Sequence, residues 1–216
     1  INFVRGCDVG TCAEQATTRD RRLQVPTRSG SLKVWKRGDV IHSSPTVVAG
    51  PKDRHDAIYG DQSYSAFLQK WYNRRQVAYV GGNDGMLHAF DADNGQERWA
   101  YVPSMVIPNM WKLADKNYAT MHSYYVNGNP VVGDVFDGSS WRTILVAGLN
   151  GGGRGYYALD VTNPASPSLL WEFTSNSADA LYDLDLGYSF GQPVITKKAD
   201  GTWVVPLTSG YNNTSP

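Results

Sequence analysis

One pattern constrains the fold more than any other: short apolar segments recur three times along the 216-residue chain. Each unit opens with a proline beside β-branched residues, at Pro45, Pro130 and Pro193. A second β-branched segment and a turn rich in Gly and Asn follow, and the first two units then close on Trp99 and Trp171. Units of four short strands with a tryptophan at a fixed place are typical of β-propeller blades, in which neighbouring small sheets bury each other's faces. We therefore predict an all-β fold of four-stranded antiparallel blades with short helical insertions.

Turn residues divide the units into strands. In the first unit, Gly82-Asn83-Asp84-Gly85 and Asp93-Asn94-Gly95 are hairpin signals, because Asn and Gly tolerate positive φ. They predict three consecutive antiparallel strands within residues 76–102. The same reasoning predicts further strands at 31–35, 40–48, 143–147, 156–161, 169–173 and 203–207.

The units open near residues 40, 128 and 190, and we assign residues 31–216 to one partial propeller domain. The third unit stops at Pro216, where its third and fourth strands are due. Because propellers need about 4–8 blades, we expect the chain to cover only about two and a half of them.

Two segments depart from the strand pattern. Phe67, Lys70, Trp71 and Arg74 recur at helical spacing without Gly or Pro, which predicts a helix over residues 63–73. Residues 104–115 contain Ser104 as a candidate N-cap and Pro108, which we expect to split the segment into one or two broken turns.

Residues 1–30 are polar and Arg-rich, and we interpret them as an irregular N-terminal arm. The arm contains both cysteines of the chain, Cys7 and Cys12. A single pair in a chain of this size fits a disulfide that closes a small loop, which would indicate an oxidising compartment. Two unpaired thiols are the alternative.

Charge and hydropathy exclude several functional classes. Residues 1–75 carry a formal charge of about +6 and residues 76–216 about −6, so the whole chain is neutral. The arginines of the arm are sparser than the basic stripe of a nucleic-acid-binding protein, and we expect no nucleic-acid partner. No segment approaches the roughly 18 apolar residues of a membrane-spanning helix.

The first unit also contains a string that resembles the PilC/PilY family of type IV pilus proteins. The string is Asn83-Asp84-Gly85-Met86-Leu87-His88-Ala89-Phe90-Asp91, and blocks at residues 38–45, 127–134, 151–160 and 185–193 follow in the family's order. Two departures, Asn127 in place of a commoner Asp and the segment 118–125, lie where we expect a surface loop.

The resemblance implies a quinoprotein-like propeller domain of a large protein secreted through the periplasm to the bacterial cell surface, at the pilus tip or outer membrane. Its members support pilus assembly, oppose retraction and mediate attachment, so the implied partners are major or minor pilins and a host receptor or surface. Some members bind calcium in an acidic loop of the propeller, and we expect that loop to lie beyond Pro216.

A second motif, over residues 89–99, resembles the Trp-docking motif of quinoprotein propellers, some of which are PQQ-dependent dehydrogenases and others outer-membrane assembly scaffolds. The enzymes carry an adjacent Cys pair over the cofactor, whereas Cys7 and Cys12 are not adjacent. We expect no PQQ and a non-enzymatic protein, with a quinoprotein dehydrogenase or a scaffold as the alternatives.

Two acidic groups are candidate cation ligands, because hard cations prefer carboxylate oxygens. Asp91 and Asp93 begin like a calcium loop, but Val102 occupies the position of its bidentate Glu. Turn capping is the preferred interpretation there, and ordinary loop solvation is preferred for the second group, Asp179, Asp183 and Asp185.

Other polar motifs favour structural roles. His88 has no nucleophile or metal partner in the sequence, so a packed, hydrogen-bonded strand histidine is expected. The glycine run 151–153 lacks the Lys-Ser/Thr of a phosphate-binding loop and indicates a permissive turn.

The long connections at 49–75 and 103–129 hold many aromatic residues, a composition typical of interface anchors. From the second connection we predict partner contacts at Trp111, Tyr118, Tyr124 and Tyr125. Packing of these rings over the blade edges is the alternative.

Overall fold

A computed structural model describes residues 3–4, 6, 18–19, 24–27 and 29–213 of the chain. Cys7 and Cys12 lie outside the described residues, and the disulfide stays a prediction.

Two four-stranded antiparallel sheets form the body of the molecule, and each is a meander of strands in chain order. The first blade contains β3 (Thr46–Val48), β4 (Val77–Gly82), β5 (Met86–Asp91) and β6 (Glu97–Tyr101), preceded by a hairpin of β1 (Gln24–Pro26) and β2 (Leu32–Val34). The second blade contains β7 (Val131–Phe136), β8 (Trp141–Gly148), β9 (Gly155–Asp160) and β10 (Ser168–Thr174). The third unit contributes a two-stranded hairpin of β11 (Thr196–Lys197) and β12 (Trp203–Val204). The prediction of four-stranded antiparallel blades is confirmed.

The main core lies between the two blades. Tyr79 and Leu87 of the first blade and Leu145 and Tyr157 of the second are fully buried in one apolar cluster. Burying a side chain of this size stabilises the fold by about 1.5–3 kcal/mol. Trp99, which closes the first blade, adds a directional contact, because its indole N–H donates to the Pro164 carbonyl of the second blade at 2.9 Å.

Glycines mark the seam between successive units. A Cβ on Gly81, near the end of β4, would lie 2.3 Å from the carbonyl oxygen of Val126, which precedes the second blade. A Cβ on Gly148, the last residue of β8, would lie 2.5 Å from the carbonyl oxygen of Ser189, which precedes the third unit. The backbone of each unit therefore approaches the preceding blade at a place that only glycine permits.

Two helices occupy the connection between β3 and β4. The helix α1 (His55–Tyr59) is short, and α2 (Gln62–Trp71) agrees closely with the predicted helix over 63–73. Asp61 caps α2, since its Oδ1 accepts from the Ser63 amide at 2.9 Å.

A buried polar cluster fastens α2 to the second blade. The Tyr64 hydroxyl donates to the Asp134 carboxylate at 2.7 Å and accepts from the Asp53 amide at 3.0 Å. The Thr143 hydroxyl donates to the other Asp134 oxygen at 2.6 Å and accepts from Arg74 at 2.7 Å. These contacts join a connection of the first blade to strands of the second.

Three predictions about local structure are wrong. The strand predicted over 203–207 forms only at Trp203–Val204. Only residues 46–48 of the segment 40–48 form a strand, because Ser43 bonds the Gly81 amide through its side chain instead of joining the ladder. Residues 104–114 form one 3₁₀ helix that includes Pro108, and Ser104 bonds Glu172 of the second blade through its amide and hydroxyl instead of acting as the N-cap.

A shorter 3₁₀ helix, Tyr118–Thr120, follows the first. Within the described residues, no helix has the length and apolar character that crossing a bilayer requires.

Candidate functional site

The motif string 83–91 occupies the β4–β5 turn and the whole of β5. The positive φ of the turn falls on Gly85 at 91°. Asn83 acts through its side chain, whose oxygen accepts from the Tyr125 amide at 3.1 Å and whose nitrogen donates to Asp39 at 3.0 Å. The turn of the first blade therefore organises the long connection that leads to the second.

His88 lies buried between two carboxylates. Its Nε2 is 3.0 Å from Asp84 Oδ1, and its Nδ1 is 2.6 Å from Glu97 Oε1. Burial alone lowers the pKa of His88, but the hydrogen bonds and charges of Asp84 and Glu97 outweigh burial and raise it. Both ring nitrogens are occupied, so the expected role as a packed, hydrogen-bonded strand histidine is confirmed.

Asp84 completes this cluster. Burial raises its pKa, but hydrogen bonds from His88 and from the Gly38 amide, at 2.9 Å, hold the pKa below its usual value. The carboxylate thus ties the segment before the first blade to the motif turn.

The first acidic candidate behaves as a turn cap. Asp91 accepts from the Asp93 amide at 3.1 Å, and its other oxygen is bound by Arg98 at 2.9 Å and by Arg75. Burial raises the pKa of Asp91, but these partners lower it overall. A carboxylate already paired with two guanidinium groups does not fit a calcium ligand.

The second acidic group is also engaged locally. Asp179 accepts from the Thr174 hydroxyl at 2.5 Å, and Asp183 caps the Asp185 amide at 2.9 Å. Across the described part of the chain, no three His, Cys, Asp or Glu side chains are grouped closely enough to hold a metal ion.

A row of rings, four of them exposed and Tyr188 half-buried, crosses the three units, and we call it the aromatic loop face. Its members lie in the loops that open the units or in the turn of the third, and they are His42, Tyr124, Tyr188, Phe190 and Tyr211. The His42 and Tyr124 rings are 5.5 Å apart, and Phe190 stacks on Tyr211 with centroids 5.4 Å apart at 18°.

The two halves of this row meet at Gly151. A Cβ placed on Gly151 would lie 3.2 Å from the Tyr124 ring and 3.6 Å from the Phe190 ring, so the rings flank this glycine. The exposed fractions are 39% for Tyr124, 45% for Phe190 and 67% for Tyr211, which leaves much of the aromatic surface in contact with water.

The glycine run that contains Gly151 forms a turn, as expected. The positive φ, 51°, belongs to Asn150, and Gly152 is required because its Cβ would collide with the Tyr125 carbonyl.

The predicted partner residues divide into two classes. Trp111 and Tyr124 are exposed, whereas Tyr118 and Tyr125 are buried in the core between the blades, so their prediction as surface contacts is wrong. Tyr125 donates to the Asn109 carbonyl at 2.9 Å, and the Tyr118 ring lies under the Arg19 guanidinium at 4.4 Å. At these two positions the rings pack inside the protein, in agreement with the alternative interpretation.

Sequence reasoning missed most of the aromatic loop face. His42 and Phe190 each lie three residues before the opening proline of their unit, and Tyr211 follows the glycine of the third unit's turn. An alignment of the units on their prolines brings His42 and Phe190 to the same position, so the sequence held a signal for those two rings.

Comparison with known proteins agrees with this architecture. The family model described as the PilY1 beta-propeller domain matches residues 10–215. The chain is 41% identical over 224 residues to a type IV pilus biogenesis factor PilY1 homolog of Xylella fastidiosa, which covers 100% of this chain and 16% of that protein. It is also 41% identical over 180 residues to the type IV pilus biogenesis factor PilY1 of Pseudomonas aeruginosa, covering 82% of this chain and 15% of that protein.

A solved structure is similar as well. The crystal structure of the Pseudomonas aeruginosa PilY1 C-terminal domain matches with a TM-score of 0.61 and 38% identity, over 77% of this chain and 32% of that one. The chain thus spans a small part of the curated relatives and about a third of the solved domain.

Proposed function

The chain belongs to the PilY1 β-propeller family, and on that premise we propose that it is a non-enzymatic binding module of the type IV pilus machinery. The relatives carry the name of type IV pilus biogenesis factors, which supports a pilus-associated role at the cell surface. The chain spans only 16% of the first relative. The proposal therefore concerns this propeller segment, and any effect on the pilus depends on what the segment binds.

The aromatic loop face is the observation that carries the proposal. Tyr and Phe side chains that are held in place yet exposed supply large contact area at low entropic cost, and such residues dominate protein–protein binding energy. The rings are held because they lie in loops fixed by the glycine seam and by the Asn83 and Ser189 hydrogen bonds. We propose that a pilus subunit, a major or minor pilin, binds this face, and that its capture supports assembly and opposes retraction.

A double variant tests the proposal. Phe190→Ala with Tyr211→Ala removes the stacked pair, and Tyr72→Ala, which is 76% exposed and lies at the end of α2, is the matched control. We expect the double variant to lose affinity for purified pilin subunits by roughly 10-fold or more, as truncation of a hot spot does. The control should bind as the unchanged protein does.

Piliation and twitching of cells that carry each variant provide the second readout. Unchanged pilin binding by the double variant, at an unchanged melting temperature, contradicts the proposed face. A lower melting temperature with a parallel loss of binding assigns the rings to packing instead.

Calcium binding and attachment to a surface or host receptor stay predictions of the family resemblance. Since Asp91 is bound by two arginines and the group 179–185 is engaged in turn caps, we propose that a calcium site lies outside the described residues.

A further inference from the structure

A groove of about 440 Å³ lies between α2 and the β7–β8 hairpin of the second blade. Ala66, Lys70 and Trp71 of α2 form one wall, and Phe136 and Ser140 of the hairpin form the other. The volume is within the range of small-molecule sites, roughly 300–1,000 Å³. The groove is separate from the aromatic loop face, and a ligand in it is independent of the proposed pilin contact.

The base of the groove is held in place by contacts within the protein. The buried Trp141 at its base donates from Nε1 to the Ser63 hydroxyl at 2.9 Å and meets the Tyr64 ring edge-on at 4.7 Å. Tyr64 in turn is bound to Asp134. A preformed site of this kind loses little conformational entropy when it binds.

Two cationic side chains line the groove, and they differ in whether carboxylates neutralise their charge. Arg142 is bound by Asp160 at 3.0 Å and by Asp137, so its charge is compensated and its orientation fixed. Lys70 is exposed on the last turn of α2 and forms no ion pair within the described residues. Its Nζ lies 5.4 Å from the centroid of the Trp71 ring. The groove therefore favours a ligand with one negative charge near Lys70.

The surfaces beside Lys70 indicate what the rest of the ligand is. The half-buried rings of Trp71 and Phe136 line the groove and supply apolar aromatic surface of the kind that packs against the C–H face of a pyranose ring. The groove is also lined by Ser140 and Thr162, whose hydroxyls can donate and accept, and by the Arg142–Asp160 ion pair. Each hydroxyl group of a sugar can donate one hydrogen bond and accept another, so neighbouring hydroxyls can bond to donors and acceptors at the same time.

We propose that this groove binds a sugar that carries a carboxylate, of the uronic-acid type, with Lys70 on the carboxylate and Trp71 against the ring. An acidic peptide offers the charge but not the array of neighbouring hydroxyls that the polar side of the groove matches.

Calorimetric titration of the whole chain with three probes tests this proposal. The probes are trigalacturonate, the neutral maltotriose and triglutamate, each with tryptophan fluorescence as a parallel signal. We expect trigalacturonate to bind best and its affinity to fall as NaCl is raised, because an exposed ion pair is screened by salt. Maltotriose should bind more weakly, without the salt dependence.

Single-residue variants test which side chain contacts which part of the ligand. Lys70→Gln should lower the affinity for trigalacturonate about threefold, the size expected for one exposed ion pair, and leave maltotriose unchanged. Trp71→Ala should lower the affinity for both sugars, and Trp71→Phe should restore part of it. Lys112→Gln, on the long 3₁₀ helix outside the groove, is the matched control.

Three results overturn the proposal. The first is the absence of saturable trigalacturonate binding to a protein with an unchanged melting temperature. The second is triglutamate binding more tightly than trigalacturonate, which assigns the groove to an acidic peptide. The third is an equal effect of Lys70→Gln and Lys112→Gln, which would mean that the ligand responds to the overall charge of the protein and not to Lys70.

Discussion

Replacing Tyr64 with phenylalanine removes one oxygen atom from the buried cluster that joins α2 to the second blade. The ring keeps its place, because it is fully buried and packs edge-on against Trp141 at 4.7 Å. What is lost is the hydrogen bond to Asp134 at 2.7 Å and the acceptor for the Asp53 amide at 3.0 Å.

The two losses differ in size. Asp134 is buried, so removing one partner of its carboxyl group costs about 2 kcal/mol in the free energy of unfolding. The Asp53 amide lies at a half-buried residue that water can reach, and its loss adds about 0.5 kcal/mol. A total of about 2–3 kcal/mol corresponds to a melting temperature lower by roughly 4–12 °C for a domain of this length.

Thermal unfolding followed by circular dichroism measures this shift. Tyr72→Phe, at the C-terminal end of the same helix, is the matched control, because Tyr72 is 76% exposed. We expect the control to melt within about 1 °C of the unchanged protein, since exposed substitutions usually change the free energy by less than 0.5 kcal/mol. Equal melting temperatures for Tyr64→Phe and Tyr72→Phe would refute the claim that this hydroxyl fastens α2 to the blade.

Two further predictions concern the seam and the motif turn. Gly148→Ala places a Cβ 2.5 Å from the Ser189 carbonyl oxygen, and the urea midpoint should fall by the equivalent of about 1–3 kcal/mol. Gly133→Ala, whose Cβ meets its nearest atom at an ordinary 3.4 Å, should change the midpoint far less, and equal effects would contradict the proposed close approach. His88 has a raised pKa, so its contribution to stability is fully present below about pH 6.5 and is lost as the pH rises through the folded-state pKa. The stability difference between the unchanged protein and His88→Gln should therefore shrink between pH 6 and pH 9, and a difference that grows with pH would show that Asp84 does not hold the charged ring.

Turn chemistry made the strands predictable. Gly85 and Gly95 adopt φ of 91° and 73°, the conformations that their hairpins require, and the flanking strands follow within one or two residues. The repeated proline and tryptophan positions then placed these hairpins in blades. Local sequence rules sufficed here because each strand pairs with its neighbour in the chain.

The helix α1 could not be predicted in the same way. It has five residues, and its N-cap, Arg54, adopts a left-handed conformation at φ 58° without a side-chain cap. Its position depends on His55, which stacks on Trp141 with ring centroids 5.0 Å apart. A contact across 86 residues of chain leaves no local signal.

The same limit explains the errors in the candidate site. Tyr124 and Tyr125 are adjacent, yet the first is 39% exposed and the second 1%. Which of the two faces water depends on the hydrogen bond from the Tyr125 amide to Asn83, 42 residues away. Composition identifies an aromatic connection, but only the tertiary contact decides which ring is available to a partner.

The position of α2 bears on how the chain acquires its structure. Each blade pairs strands that are consecutive in the chain, an arrangement of local contacts that favours fast folding. Residues 49–76 interrupt this order, because they separate β3 from β4 in the first blade and dock on Asp134 and Trp141 of the second. The first blade therefore cannot reach its final stability until β7 and β8 exist. We therefore expect the two blades to unfold as one cooperative unit, and the first blade to complete its folding only after the second is synthesised.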